Sequence, residues 1–390
     1  MKGTKSNNPL MSCPKLFNVQ FHFFNLLSSF IIFVFGLSFG VILSFHLKNF
    51  SFDLHISTPS PSPSMPQSVN SSIGTSRTER VGLTEFLEPP KVMHDMDDEE
   101  LLWKASMTPR IARYPFDRVP KVAFLFLTKG PVLLAPLWEA FFKGHQGLYS
   151  IYVHSDPSFH SSEPNGSVFY GRRIPSKEVE WGKVNMIEAE RRLFANALLD
   201  FSNQRFVLLS ESCIPLFNFS TVYSYLINSS QTYVESYDLD DSVGRGRYSK
   251  KMSPQITLDQ WRKGAQWLEI DRDLAIEVVS DQTYFPVFQQ HCKDACYADE
   301  HYLPTFVAMK FGKKNSNRTL TWVDWSKGGP HPTKFLRTGV TIAFLEKLRN
   351  GSQCLYNGKN TSICRLFARK FLPDALYRLL KFAPSVMQIH

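Results

Sequence analysis

KVAFLFLTKGPVLLAPLWEAFFKGHQGLYSIYVH, residues 121–154, is the stretch that decides the fold. It contains two continuous apolar runs of strand length, 121–127 and 148–154, with a helical segment through Trp138, Phe141 and Phe142 between them. A third run, RFVLLS at 205–210, follows segment 184–200, which places five apolar residues on one helical face: Val184, Ile187, Phe194, Ala197 and Leu198. This β-α-β-α-β series predicts an α/β domain with a parallel-rich central sheet.

Ligands of such sheets bind beyond the carboxyl ends of the strands. Here those ends are followed by Thr128, by Asp156 and by Glu211. Asp156 is placed to accept hydrogen bonds from a base or ribose, although Asp-Pro is also ordinary turn chemistry. Neither a GxxxxGK[ST] nor a GxGxxG motif follows a strand, so side chains or a metal must hold any phosphate.

The N-terminus predicts a membrane anchor. Segment 21–45 has no Asp, Glu, Lys or Arg, and it is long enough for a helix to cross a bilayer, which needs about 20 residues. Lys2, Lys5 and Lys15 precede it, which favours a cytosolic N-terminus. A cleaved signal peptide is the alternative, but it would have a shorter apolar run. We therefore expect a tail (1–20), a single transmembrane helix (21–45), a Ser/Pro-rich stem (46–82) and a luminal body (83–390).

The body is about 300 residues long, enough for one large domain. The chain carries a formal net charge of +9, and its basic residues are spread through the body without an arginine-rich tail. That distribution favours a small anionic ligand over nucleic acid.

The cysteines and the N-glycosylation sequons are consistent with an oxidising, luminal compartment. Cys354 and Cys364 bracket a turn-rich loop and predict a local disulfide. A zinc set of His291, Cys292, Cys296 and His301 is an alternative, but the spacing of its two cysteines also suits a disulfide. The N-x-S/T sequons lie at Asn49, Asn70, Asn165, Asn218, Asn228, Asn317, Asn350 and Asn360, all beyond the predicted anchor.

The candidate catalytic residue is Glu300, in YADEHYLPTFVAMKF at 297–311. A carboxylate there, with Arg337 and Lys370 downstream, provides a general base and a cationic cradle for a leaving diphosphate. The alternatives are a helix N-terminal carboxylate for Glu300 and a solvated basic face for the two cations.

Two further sets have a possible role in a transfer site. Asp238 and Asp240, with Asp241, follow the strand-like QTYVES and read as a metal-binding D-x-D motif. Trp322 and Trp325 precede a Gly-Gly-Pro-His turn and suit acceptor stacking, whereas Trp261 and Trp267 are expected in the core.

Eight blocks occur in order along the body: VAFLFLTKGP, IYVHSDP, VEWGKVNMIEAERRLFANAL, FVLLSESCIPL, QWRKGAQWLEIDR, CYADEHYLPTF, TWVDWSKGGPHP and LFARKF. Together they resemble the core-2/I-branching β-1,6-N-acetylglucosaminyltransferase family (glycosyltransferase family 14), most closely its plant branch of type II Golgi membrane proteins. The resemblance implies a GT-A-like fold and inverting, metal-independent transfer from a UDP-sugar donor to a glycan or glycoprotein hydroxyl. N-acetylglucosamine is the expected sugar, with xylose and glucuronic acid as alternatives.

The resemblance also implies roles for individual residues. Glu300 would be the base, Arg337 and Lys370 would bind diphosphate, and Asp156 would help bind uridine. An acceptor site would include Glu235, Arg245, Arg247 and Lys251. The strand ends add Thr128 and Glu211 as donor-binding candidates, and the stacking argument adds Trp322 on the acceptor side. One departure is Asn185, where the family pattern has a small serine after WGxV. A non-catalytic luminal scaffold that binds sugars or nucleotides is the remaining alternative, and the presence of Glu300 together with Arg337 and Lys370 favours an enzyme.

Overall fold

The computed structural model describes residues 82–111, 113–161 and 163–390. The predicted tail and anchor, and nearly all of the stem, lie outside these residues. In the part of the chain that is described, no helix combines the length and the apolar character that crossing a bilayer would need.

The described residues form short strands and helices joined by long loops. The strands are β1 (Lys121–Leu127), β2 (Tyr149–His154), β3 (Asn203–Ser210), β4 (Ile214–Pro215), β5 (Glu269–Asp271), β6 (Thr321–Val323), β7 (Cys354–Tyr356), β8 (Lys359–Thr361) and β9 (Phe367–Arg369). The α-helices are α1 (Leu83–Leu87), α2 (Asp98–Ser106), α3 (Ala135–Phe142), α4 (Asn185–Leu198), α5 (Phe219–Ile227), α6 (Arg272–Val279), α7 (Phe285–His291), α8 (Tyr302–Lys310), α9 (Ile342–Asn350) and α10 (Leu376–Phe382).

The central sheet has the order β2-β1-β3-β5. β1 pairs in parallel with both β2 and β3, and β5 is an antiparallel edge strand. Leu127 pairs with His154 on one side and with Ser210 on the other, so the carboxyl ends of the three parallel strands share one edge. The α/β fold with a parallel-rich sheet, predicted from the sequence, is therefore confirmed.

Successive residues of a strand point to opposite sides, so the sheet has two faces. An apolar core buries each face. Phe124 and Phe126 lie in a core with the α3 residues Trp138, Phe141 and Phe142. Ala123 and Leu125 lie in a second core with apolar residues of α4, α6 and α8. The two cores hold the sheet rigid, and the rigid sheet fixes the loops at its carboxyl edge.

A second sheet, ordered β4-β9-β6, joins the C-terminal part of the chain to the end of β3. β9 runs antiparallel to β4 and parallel to β6. Directly after β9, the Phe371 amide donates to the Ser212 carbonyl at 2.9 Å. This pairing places Lys370 beside the segment that follows β3.

The segment QTYVES, which we expected to be strand-like, forms only isolated bridges at Thr232 and Tyr233. Side-chain amides replace a partner strand there. The Val234 amide donates to Asn315 Oδ1 at 3.0 Å, and the Ser236 amide donates to Asn317 Oδ1 at 2.7 Å. The backbone groups of the segment are thus satisfied without a ladder.

Two disulfides are present in the described residues. Cys354–Cys364 spans the β7–β8 hairpin, and Cys292–Cys296 follows α7. Because Cys292 and Cys296 are bonded to each other, they are not free thiolates for the zinc set, and no group of three metal-ligating side chains occurs in the described part of the chain. Cys213 is a buried free thiol.

The sequons differ in how accessible they are. Asn165, Asn228, Asn317, Asn350 and Asn360 are exposed. Asn218 is half-buried and caps α5, where its Oδ1 accepts a hydrogen bond from the Thr221 amide. Asn49 and Asn70 lie outside the described residues.

Replacing Phe124 tests the first core, in which Phe124 packs against α3. Its ring contacts Trp138, Phe141, Phe142 and Phe219 edge-on or tilted, and it has no exposed surface. We expect Phe124→Ala to lower the free energy of unfolding in urea by about 3–5 kcal/mol, because it leaves a cavity. The control Leu355→Ala, at an exposed position, should change it by less than about 0.5 kcal/mol. Equal effects of the two variants would contradict this description of the core.

Candidate active site

Glu300 lies on a short loop whose two ends are fixed. The Cys292–Cys296 disulfide precedes it, and α8 follows it. Between them Tyr297 adopts a left-handed conformation with φ of 53°, and residues Ala298–Glu300 form one 3₁₀ turn. The loop therefore holds the Glu300 backbone in a single place relative to the second core.

The Glu300 carboxylate is paired with two cations through one oxygen. Oε2 accepts a hydrogen bond of 2.6 Å from Arg247 Nη1 and another of 2.6 Å from Lys263 Nζ. Burial on its own would raise the pKa of Glu300, but Lys263 and Arg247 outweigh it and hold that pKa below the usual value. Glu300 is thus ionised over the whole neutral range, and no donor in the described residues contacts its Oε1.

The backbone around Lys263 explains how this pairing is built. The Gly264 amide donates to the Glu300 carbonyl at 2.9 Å, and the Lys263 amide donates to the Tyr237 carbonyl at 2.9 Å. A Cβ at Gly264 would lie 1.8 Å from the Glu235 carbonyl oxygen and 2.8 Å from Pro304. Only glycine permits such close backbone approach, so it brings Lys263 and the Glu300 loop together.

Two buried acids lie behind Glu300. Asp299 Oδ1 and Glu190 Oε2 have no hydrogen-bond partner in the described part of the chain. Burial, with the neighbouring Glu300 charge, raises the pKa of Asp299 to about 7. Burial, with the nearby Asp299, raises the pKa of Glu190 well above its usual value. The environment therefore separates the three acids: the pKa of Glu300 is lowered, whereas the pKa values of Asp299 and Glu190 are raised.

The carboxyl edge of the sheet carries the predicted donor residues. The Thr128 hydroxyl donates to the Gly130 carbonyl at 2.7 Å, which closes the turn after β1. Asp156 Oδ1 accepts from the Ser158 amide and hydroxyl, so Asp156 forms the turn that its Asp-Pro sequence also allowed. These hydrogen bonds from Ser158 lower the pKa of Asp156. Both contacts use Oδ1, and Arg173 holds the Asp156 carbonyl at 2.9 Å.

A group of lysines surrounds the end of β9. Burial and the neighbouring Arg369 lower the pKa of Lys370, and Lys334 and Lys129 act in the same direction, while Glu211 opposes them. Lys129 comes from the turn after β1, and Lys334 comes from the loop after β6. Several like charges around a half-buried amine form a site that favours an anion.

Arg337 is exposed on the loop after β6, and its predicted contact with the diphosphate stays a prediction. Its guanidinium stacks on the Tyr377 ring, 4.9 Å from the centroid, and its amide donates to Asp374. From the 3₁₀ turn Arg337–Gly339 this side chain reaches the C-terminal helix region, and the charge of Lys334, on the same loop, helps to lower the pKa of Lys370.

The predicted acceptor residues separate into different environments. Arg247 contacts Glu300 directly, and Glu235 is half-buried near Arg365. Arg245 instead forms a bidentate pair with Asp238, at 2.7 and 2.5 Å. This pair also bears on the D-x-D interpretation, because the Asp238 carboxylate is neutralised by an arginine. Lys251 is exposed in the 3₁₀ turn Lys250–Met252.

Trp322 is half-buried and packs against the first core. Its ring lies 5.8 Å from Phe335 and 5.9 Å from Phe344. Trp261 and Trp267 are buried, as expected, and Trp325 is half-exposed. β6 thus carries Trp322 against the packing between α9 and β9, and its predicted stacking role stays a prediction.

A cavity of about 400 Å³ adjoins the Glu300 loop. Arg247, Gly246 and Tyr297 line it, together with Ser242 and Lys293. Its size lies within the range of small-molecule sites, which is roughly 300–1,000 Å³.

The sequence interpretation missed Lys263, Lys129 and Lys334. Two of them directly precede a glycine: Lys263 precedes Gly264, and Lys129 precedes Gly130-Pro131. Lys334 follows the turn residues Gly328-Gly329-Pro330 by a few positions. Those glycines and prolines were the available signal, because they mark where the backbone brings separate loops together.

An ionised carboxylate on one loop and lysines at the carboxyl edge of a parallel sheet suit an enzyme that acts on an anionic substrate. Residues 122–349 match the family model described as "Branch: Core-2/I-Branching enzyme". The rice protein named Glycosyltransferase BC10 (Oryza sativa subsp. japonica) is 34% identical over 306 residues, covering 67% of this chain and 76% of its own. The chain belongs to the Core-2/I-branching enzyme family and is a glycosyltransferase.

Replacing Gly264 tests the geometry that holds Glu300. We expect Gly264→Ala to lower the free energy of unfolding in urea by about 3 kcal/mol, because the new methyl group would overlap the Glu235 carbonyl. Gly312→Ala is the matched control, since a Cβ at Gly312 meets nothing within 4 Å. Unfolding of both alanine variants at the same urea concentration would contradict the close approach of Gly264 to the Glu235 carbonyl.

Proposed function

We propose that the protein transfers a sugar from a UDP donor to a glycan hydroxyl by an inverting, metal-independent reaction, with N-acetylglucosamine as the expected sugar and a GT-A-like domain as its frame. The observation that carries the proposal is the ionised Glu300, with one oxygen anchored and the other open. A direct displacement needs one base on the acceptor side and positive charge on the leaving-group side, and both features occur in this domain.

Glu300 would act on the acceptor. Arg247 and Lys263 anchor Oε2, which leaves Oε1 to accept the proton of the attacking hydroxyl. As the acceptor oxygen bonds to the anomeric carbon, that proton moves to Oε1, and the bond from the anomeric carbon to the UDP oxygen breaks with its electron pair on UDP. One displacement of this kind inverts the anomeric centre.

The lysine group would act on the donor. Lys370, Lys334 and Lys129 supply positive charge where the diphosphate of UDP accumulates negative charge. This charge performs the task that a divalent ion performs in metal-dependent transferases. Thr128, Asp156 and Glu211 lie at the same sheet edge, where the uridine would bind.

The proposed location is the Golgi membrane, with the body in the lumen. Two disulfides in the described residues suit an oxidising compartment. Five sequon asparagines of the body are exposed, as glycosylation requires. The anchor predicted at 21–45 would hold the enzyme in the membrane, with no nucleic acid among its partners.

Replacing Glu300 and removing metal ions tests the mechanism. We expect Glu300→Gln to lower turnover by about 10²–10⁴-fold, because the amide cannot accept the proton, while UDP binding is retained. Transfer is measured as UDP release across a panel of UDP-sugars, with and without EDTA, and Glu277→Gln is a control away from the loop. Wild-type activity abolished by EDTA would move the assignment to Asp238 and Asp240, and undetectable turnover and UDP binding would favour a scaffold.

Removing the lysine beside the base tests the charge balance. Lys263 lowers the pKa of Glu300, so Glu300 stays ionised as the pH falls. In Lys263→Met that pKa rises, and the acidic limb of the kcat/KM profile should move to higher pH by about one unit or more. The control Lys313→Met, at an exposed position, should leave the limb in place. A limb that stays fixed or moves to lower pH would rule out Glu300 as the titrating base.

A further inference from the structure

Trp181 is an exposed tryptophan whose position is fixed by its neighbours. Its side chain lies on the loop between β2 and α4, and 52% of the residue is exposed. The indole meets the Tyr297 ring edge-on at 5.1 Å and the His331 ring at 5.1 Å. An aromatic surface that is both open to solvent and held by two other rings is suited to receive a ligand.

Backbone packing ties Trp181 to the loop of the catalytic base. Gly182 follows it with φ of 77°, and a Cβ at Gly182 would lie 2.9 Å from Cδ1 of Tyr297. The chain next to Trp181 therefore rests directly on the Tyr297 ring. The Arg247 guanidinium covers that ring at 4.1 Å from its centroid, and the same arginine holds Glu300 at 2.6 Å.

A second contact ties Trp181 to the donor side. His331 stands three residues before Lys334, whose charge helps to lower the pKa of Lys370. Trp181 thus contacts both the loop of Glu300 and the loop that carries Lys334, a lysine proposed above to act on the donor phosphates. The reacting sugars must lie between these two loops for a direct transfer, because the acceptor hydroxyl contacts the base while the leaving diphosphate contacts the lysines.

We infer that the indole of Trp181 is a binding platform for the acceptor, on which a neutral sugar ring stacks through its C–H face while its hydroxyl reaches Glu300. This inference rests on the proposed function and names a binding residue for it. The acceptor ring is favoured over the donor sugar because Trp181 joins the base through Tyr297 and Arg247, and the base acts on the acceptor. Neutral C–H groups suit the negative face of an aromatic ring.

Other tryptophans do not share this arrangement. Trp322 packs against Phe335 and Phe344. Trp103 is 57% exposed on α2, and no aromatic stacking partner accompanies it in the described residues. Trp103 is therefore a matched control: its indole is as exposed as that of Trp181, but it does not lie between the two loops.

Ligand-detected NMR on the full-length protein tests the platform without requiring turnover. The probes are two neutral disaccharides, β-linked galactobiose and xylobiose, in saturation-transfer titrations. We expect at least one to bind with the strongest transfer to protons on one face of a ring. Trp181→Ala should weaken that binding about tenfold, Trp181→Phe should restore most of it, and Trp103→Ala should leave it unchanged.

UDP binding is measured on the same variants. Unchanged UDP affinity in Trp181→Ala would show that the fold and the donor site are intact. The inference is overturned if neither disaccharide binds the wild-type protein, if Trp181→Ala binds as well as wild type, or if this variant loses UDP affinity instead. Disaccharide binding that depends on Trp181, in a protein with no sugar transfer, would sustain the platform and refute only the proposed reaction.

Discussion

The site depends on one carboxylate oxygen, Oε2 of Glu300, that accepts hydrogen bonds from two cations at 2.6 Å each. All three side chains are largely removed from water, so each would be unstable there without the others. Losing one partner from a buried ion pair typically costs about 3–5 kcal/mol, since it leaves an uncompensated charge. The pairing therefore fixes the orientation of the Glu300 carboxylate, although a glutamate side chain is flexible on its own. Arg247 and Lys263 come from segments far from Glu300 in sequence, so this one oxygen also joins three loops.

The charged side chains discussed above fall into two regions of the domain, one near Glu300 and one near Lys370. Near Glu300, burial raises the pKa values of Glu190 and Asp299, which favours their neutral forms and limits repulsion of the ionised Glu300 carboxylate. Near Lys370, the charges of Lys129 and Lys334 from two other loops lower the pKa of this lysine, and Glu211 opposes them. The first region is organised around a carboxylate and the second around an excess of cations. A rigid parallel sheet with a core on each face keeps this separation in place.

The sequence predicts the parts of the fold that local pattern determines. β1 is recognisable because its apolar run is continuous, and α4 because its apolar face repeats with helical spacing. QTYVES has the composition of a strand, but the side chains of Asn315 and Asn317 accept hydrogen bonds from its backbone, and a partner 81 residues away leaves no local signal. The site divides in the same way. Glu300 stands in a recognisable block, whereas loop conformation and packing decide that Lys334 acts on Lys370, that Arg337 stacks on Tyr377 and that Trp181 is exposed between two rings.

The double pairing of Glu300 also constrains how its proton transfer can proceed. A carboxylate held by two cations is a weak base, because protonation would leave Arg247 and Lys263 facing a neutral group. Early removal of a proton from a sugar hydroxyl, whose own pKa is far higher, would then be strongly unfavourable. The proton is better transferred late, when the acceptor oxygen has begun to bond to the anomeric carbon and its hydrogen has become acidic. In the proposed reaction this arrangement would favour a base that orients the acceptor first and accepts its proton last, and the main lowering of the barrier would come from the cations around the departing diphosphate.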